Sequence, residues 1–203
     1  MKANFKADFL FALVPLLAIV SCKKEHLDTK SPAYRIAQSE KLIIPAEVDL
    51  PVNSPAGNTR LATYYAEGVQ KYKAQVKAGS EPVSYEWVFV APKADLYDTN
   101  NAKVGTHEAG PYWVVPQLQT GMKDSIFAQQ FTPARTVTPD AGSIPWLQLR
   151  PKEGKTPTGI FAEVTYIQRI ATTGGKAPTA APKAITDTAD VVYTAIYRFS
   201  KRN

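Results

Sequence analysis

The sequence predicts an all-β domain, a single β-sandwich or an irregular β-barrel, standing behind a lipoprotein signal and a flexible tether. Short runs with period-two alternation recur from Pro45 onward, separated by Pro, Gly and Asn. Past residue 21 no stretch keeps a 3.6-residue apolar period for three turns, and no internal repeat is present. About eight to ten strands with regular turn signals make a sandwich or a barrel.

The chain begins with Lys2 and Lys6, then the apolar run Phe9 to Val20, then Ile19-Val20-Ser21-Cys22, in which Cys22 is the only cysteine. A basic n-region, a short apolar h-region and a small-residue cut site define a signal peptide, and the cysteine makes the cut site lipobox-like. The run is interrupted by Pro15 and falls short of the roughly 20 residues that cross a bilayer as a helix. Residues 1–21 are therefore expected to be removed and Cys22 to carry lipid, which places the chain at the bacterial cell envelope, on the outside of the cytoplasm and held to a membrane, the outer one being expected. Cleavage leaves about 182 residues, enough for one domain, and a charge of about +5. Lys and Arg are scattered rather than clustered, so no nucleic-acid partner is expected; a mildly basic surface suits anionic headgroups. With no second cysteine, no intrachain disulfide can form, and packing must hold the domain.

The elements follow in order. Residues 22–45 are polar and weakly periodic and read as the lipidated N-terminus and tether; residues 46–203 form the domain. In Val69 to Lys77, Tyr72, Ala74 and Val76 face one way and Lys71, Lys73, Gln75 and Lys77 the other. Tyr85 to Val90 is apolar on both faces and is expected to lie centrally. Ala94 to Asp98 and Lys103 to His107 flank Thr99-Asn100-Asn101-Ala102 and read as a hairpin, because Asn tolerates the left-handed conformation. Further strands are expected at Trp113–Pro116, Ser125–Phe131, Trp146–Arg150, Ile160–Ile170 and Val191–Phe199; in the last, Val191, Tyr193, Ala195, Tyr197 and Phe199 share a face. Thr172 to Ala189, rich in Gly, Ala, Pro and Thr, reads as a long loop.

Gly68-Val69-Gln70-x-Tyr72, Trp87-Val88-Phe89-Val90-Ala91-Pro92-x-Ala94-x-Leu96-x-Asp98, Val104-Gly105-Thr106-His107-x-Ala109-Gly110-Pro111-x-Trp113, Ile144-Pro145-Trp146-Leu147, Ile167-Gln168-Arg169, Gly174-Gly175-x-Ala177-Pro178 and Tyr193-Thr194-Ala195-x-Tyr197-x-Phe199 resemble, in order, domain of unknown function 3455, over about residues 46 to 200. The resemblance implies a secreted single-domain protein and no mechanism. It also implies a cysteine where this chain has Ala74 and another near Ala180 to Pro182; both are missing, which suggests a family disulfide replaced by packing. The Asp-Gly-Ser turn expected after Trp113 is not kept, the nearest segment being Lys123-Asp124-Ser125.

Some fungal relatives carry a malate dehydrogenase label, but no two glycines here stand at i and i+2, so a dinucleotide loop is excluded. The glycine pairs Gly105/Gly110 and Gly154/Gly159 precede Pro111 and Ile160 rather than a P-loop lysine. One domain histidine, no domain cysteine and no Asp-x-Asp-x-Asp loop argue against zinc and calcium. No metal and no cofactor is expected.

His107 is the one domain side chain that titrates near neutrality without perturbation. It reads either as a general base oriented by Glu108 or Asp98, or as a hairpin-end histidine that packs on Gly110-Pro111 and bonds backbone. No Gly-x-Ser-x-Gly elbow accompanies it. Trp87 reads as core; Trp113, after the Gly110-Pro111 turn, reads equally as core or as surface. Arg169 reads as a ligand clamp or, by preference, an internal salt-bridge partner. The leading expectation is a lipid-anchored module that binds a small molecule or glycan, with His107, Tyr112, Trp113 and Arg169 as a partly exposed patch. The alternatives are a hydrolase-like enzyme using His107 and a structural envelope protein without a ligand.

Overall fold

The computed structural model describes residues 28–117 and 119–203. The expected signal and Cys22 lie outside the described residues. Eight antiparallel strands follow one another around a closed barrel: β1 (Asn58–Val76), β2 (Tyr85–Tyr97), β3 (Lys103–Glu108), β4 (Tyr112–Pro116), β5 (Lys123–Val137), β6 (Trp146–Pro151), β7 (Tyr166–Gly174) and β8 (Thr188–Arg202). The barrel, not the sandwich, is the architecture. β1 runs between β2 and β8, from Asn58 opposite Arg202 to Lys73 opposite Thr188, so the N- and C-terminal strands close on each other and leave no edge at that seam.

Alternation explains the core. Tyr193, Ala195, Tyr197 and Phe199 of β8 point inward together, as the sequence predicts, and join Tyr64, Ala66, Leu96, Trp113, Ile126 and Ile167 in one cluster. The hairpin turn is also where it is expected: Asn101 sits at φ 63°, and Asp98 Oδ1 accepts from the Asn100 and Ala102 amides at 2.8 and 3.0 Å. One end of the barrel is plugged. A 3-10 turn at Gly159–Phe161 drops Phe161 onto Phe199, ring centroids 4.7 Å apart, and Gly159 is required there because any Cβ would collide with the buried Asp124 carboxylate at a φ of +58°. The strand expected to start at Ile160 therefore starts at Tyr166.

The outer face of β8 is buried too, which the sequence does not suggest. Residues expected to form a tether instead form helix α1 (Pro32–Ser39), capped by the Ser31 hydroxyl and opened by Pro32. Ile36 of α1 packs on outward-facing Tyr65, Ile170 and Ile196. Buried Arg198 donates to Ser39 O at 2.8 Å and pairs with Glu40 at 3.1 Å. Farther on, Val48 O and Asp49 O accept from the Gln168 and Gln148 amides, each at 2.8 Å. Residues 31–50 are thus a strap across the barrel, and the tether reading is corrected from Pro32 onward. Two helical turns are too short to display a period in the sequence.

Strand lengths are unequal, and this corrects the central placement of Tyr85 to Val90. β3 reaches β2 only from Ala94 to Tyr97, so Tyr85–Lys93 pairs with β1 alone. Phe89 is 49% exposed, and Trp87, expected in the core, lies half-buried with its indole N–H donating to Ala180 O at 2.8 Å. β5 outruns its neighbours likewise, bulging between Gln130 and Arg135. The loop between β7 and β8 is shorter than expected and tied down, Gly175 O by the Tyr72 hydroxyl at 2.7 Å and Asp187 O by the Ala74 amide at 2.9 Å. Ala74 and Pro182 are both buried, and the loop returns to β1 where the Ala74 amide donates to Asp187 O.

Docking of the strap is tested by Ile36→Ala. A buried isoleucine should lose about 2 kcal/mol or more in denaturant unfolding; a loss within about 0.5 kcal/mol, as for an exposed tether residue, refutes the docked helix.

Candidate functional site

At the end opposite the plug, the short β3–β4 hairpin lies between the long β2 and the bulged β5, and the barrel interior opens there. The opening is a cavity of about 490 Å³. Tyr72, Phe89, Val90 and Pro92 wall one side; Ala134, Thr136, Pro145, Leu147 and Leu149 wall the other; Ala109-Gly110-Pro111 forms the lip. Gln70, His107 and Arg169 supply its inner polar groups. No Asp or Glu lines it.

Strand register explains how these groups meet. His107 faces Ala94 on one side and Trp113 on the other, and Trp113 faces Ile126. Directly opposed residues of an antiparallel pair share a face, so His107 and Trp113 both point inward and stack, centroids 4.4 Å apart and planes 11° from parallel. Tyr197 closes on the imidazole at 4.9 Å. Arg169 is the cross-strand partner of Tyr197 and stands on the same inner face. Its Nε and Nη2 donate to Pro145 O at 3.0 and 2.8 Å.

Two expectations are corrected here. His107 and Trp113 were expected to be partly exposed; they are 2% and 0% exposed. A turn usually presents its side chains to water, but this hairpin is tight enough that both residues fall on the strands proper. Arg169 was expected to have an internal salt-bridge partner, yet among the described residues no carboxylate lies within 4.0 Å of it. Of the four candidate residues, His107 and Arg169 line the cavity. Trp113 lies beneath it. Tyr112 turns its ring outward onto Phe127, centroids 4.2 Å apart, and offers only its carbonyl, which accepts from His107 Nδ1 at 2.9 Å.

That bond fixes the imidazole's chemistry. Burial, aided by the Arg169 charge and opposed by the Tyr112 carbonyl, lowers the His107 pKa to about 3. The ring is neutral, with its proton on Nδ1, and Nε2 is left as an acceptor. Glu108 points outward to the Thr106 hydroxyl at 3.2 Å, so the orienting carboxylate of the general-base arrangement is not in place.

The sequence reading missed Gln70, Tyr193 and Tyr197 as site residues. Gln70, 3% exposed, has its Nε2 without a partner, and the Tyr193 and Tyr197 hydroxyls are also buried without one. Burial raises the pKa of both phenols, so they stay protonated. An amide on the inward parity of an alternating strand was the available signal for Gln70. Among the described residues no group of three His, Cys, Asp or Glu side chains converges, and no helix is long and apolar enough to cross a membrane.

Fold and site together define an up-and-down eight-stranded β-barrel, plugged at one end and hollowed at the other into a cavity of ligand size. The chain belongs to the family described as Protein of unknown function (DUF3455), which matches residues 55–201, the barrel without the strap. No curated protein and no solved structure matches the chain.

The buried neutral histidine makes stability pH-dependent. Unfolded, His107 takes up a proton near pH 6.5; folded, it resists until about pH 3, so its contribution is complete above pH 6.5 and is lost as pH falls toward 3. Unfolding free energy measured between pH 6.5 and 4 should carry a slope of about 1.4 kcal/mol per pH unit from this residue, which His107→Gln removes. An unchanged slope in that variant contradicts the buried neutral ring.

Proposed function

We propose that this domain binds a small organic molecule, or a terminal unit of a glycan, in the barrel-mouth cavity, and that it does so at the bacterial envelope while held to a membrane through lipid on Cys22. The observation that carries the binding reading is the cavity itself: an apolar wall with three polar side chains converging at its inner end. Ligand sites are concave, mostly apolar and of roughly 300–1,000 Å³, with few placed polar groups, and small antiparallel barrels hold one ligand in this position. A structural protein without a ligand has no use for unpartnered buried polar groups at the end of an open cavity.

Binding is tested with Ala134→Trp, which enlarges an exposed wall residue of the unpaired β5 bulge and so blocks the mouth without touching the core. Native mass spectrometry against a metabolite and glycan library should detect a ligand on the wild type and none on the variant, with matching melting temperatures. Equal retention by both proteins, or none by either, removes the binding reading.

The anchor reading is supported by the lipobox-like segment. With α1 held on the barrel, residues 23–31 reach at most about 30 Å from Cys22, which keeps the barrel close to the bilayer. Intact protein is expected in the membrane fraction with an acyl mass on its N-terminal peptide, since two lipid signals give stable anchoring. Cys22→Ser should lose both; persistence of the acyl mass in that variant disproves the assignment.

A further inference from the structure

We infer that the cavity selects an amphipathic carboxylate, its anionic head placed between Arg169 and Gln70 and its apolar body along Tyr72, Phe89 and Leu149. This rests on the binding reading above and specifies its ligand class.

The imbalance at the cavity's inner end carries the inference. Arg169 brings a permanent positive charge to the barrel interior, whereas the cavity wall contains no Asp or Glu and, among the described residues, no carboxylate lies within 4.0 Å of the guanidinium. Buried Arg198 on the opposite face of the sheet shows the usual solution, since Glu40 pairs with it. Pro145 O accepts two of the five N–H donors of Arg169. The rest can serve a ligand. Gln70 adds a second, independent sign: its side chain lines the cavity, is 97% buried by its 3% exposure, and its Nε2 donates to nothing. The unpartnered Gln70 amide, beside the Arg169 donors that Pro145 does not occupy, calls for an acceptor on the ligand.

One guanidinium and one amide match a singly charged planar head, which a fork of N–H groups holds in two parallel bonds. A phosphate monoester brings nearly two charges and needs more cationic partners than this cavity contains. The walls set the other half of the ligand. A cavity of about 490 Å³ lined by Tyr72, Phe89, Pro92, Leu147 and Leu149 accommodates a hydrocarbon or aromatic body. The acceptor nitrogen of neutral His107 repels a second lone pair and favours a hydroxyl or N–H on that body.

Three probes of one size separate charge from shape: phenylacetate, 2-phenylethanol and 2-phenylethylamine, titrated into the full chain by saturation-transfer NMR and calorimetry. Phenylacetate should bind about tenfold tighter than 2-phenylethanol, with the amine weakest, as expected for one charge-assisted pair. Arg169→Gln should erase that preference while 2-phenylethanol keeps its affinity within about twofold; Arg169→Lys, which keeps the charge without the fork, should retain only part of it. Because Arg169 also holds Pro145, an Arg169→Gln protein that fails to fold is replaced by Gln70→Leu, expected to weaken phenylacetate severalfold and to spare the alcohol. Phenylacetate that does not bind, or binds no better than the alcohol, overturns the inference; if Ala134→Trp then still abolishes alcohol binding, the cavity reading stands without it. Equal binding of all three probes to Ala134→Trp places them elsewhere and overturns both.

Discussion

One inward layer of cross-strand neighbours holds this barrel in shape. Tyr193, Gly68, Ala94, His107, Trp113 and Ile126 oppose each other in turn across β8, β1, β2, β3, β4 and β5. Large and minimal side chains share the layer, and each depends on its neighbours. A Cβ on Gly68 would fall against Lys93 O and Ala94, so the glycine lets β1 and β2 close. Interiors packed to crystal density tolerate no such layer with one member enlarged or missing.

The layer also divides packed core from open cavity. Toward the plug, Phe161, Phe199, Tyr64 and Leu96 pack the interior, with the Asp124 carboxylate buried beside Gly159. Away from the plug, β3 and β4 end while β2 and β5 continue, and the barrel cannot close over the difference. The cavity therefore comes from unequal strand lengths rather than from a missing side chain. Its polar groups, Gln70, His107 and Arg169, sit at that boundary, where Gln70 is shielded from water yet its Nε2 is left unpartnered by protein. Orphaned buried polar atoms are scarce in stable folds, and the one on a cavity-lining side chain here is Gln70 Nε2.

A second, smaller core lies outside the barrel. Without a disulfide, the chain buries Ile36, Val48, Ile170 and Ile196 under the strap, and strap carbonyls accept from the Arg198, Gln148 and Gln168 side chains. This explains why β8 is buried on both faces although its outward residues include an arginine and a serine. The strap precedes the residues that match the family, so the barrel's inner layer and cavity belong to the matched region and the outer covering does not.

Local alternation determined a good deal by itself. It set the all-β class, the inward face of β8 and the Asp98–Ala102 turn, because side-chain parity in a strand depends only on its own residues. What lies on each side of a strand is a non-local matter. Trp87 and Phe89 have core composition and lie half in solvent because β3 stops short of them; Ile36 has tether surroundings and is buried because outward-facing Tyr65, Ile170 and Ile196 await it. The same holds for the site. His107 stood out in the sequence as a lone titrating group, but its depressed pKa, its bond to the Tyr112 carbonyl and its stacking on Trp113 follow from the register of a short hairpin. Arg169 was legible as a ligand clamp or a salt-bridge partner. That no carboxylate reaches it, and that it lines one cavity with Gln70, was decided only when closure of β8 onto β1 brought strands far apart in the chain together.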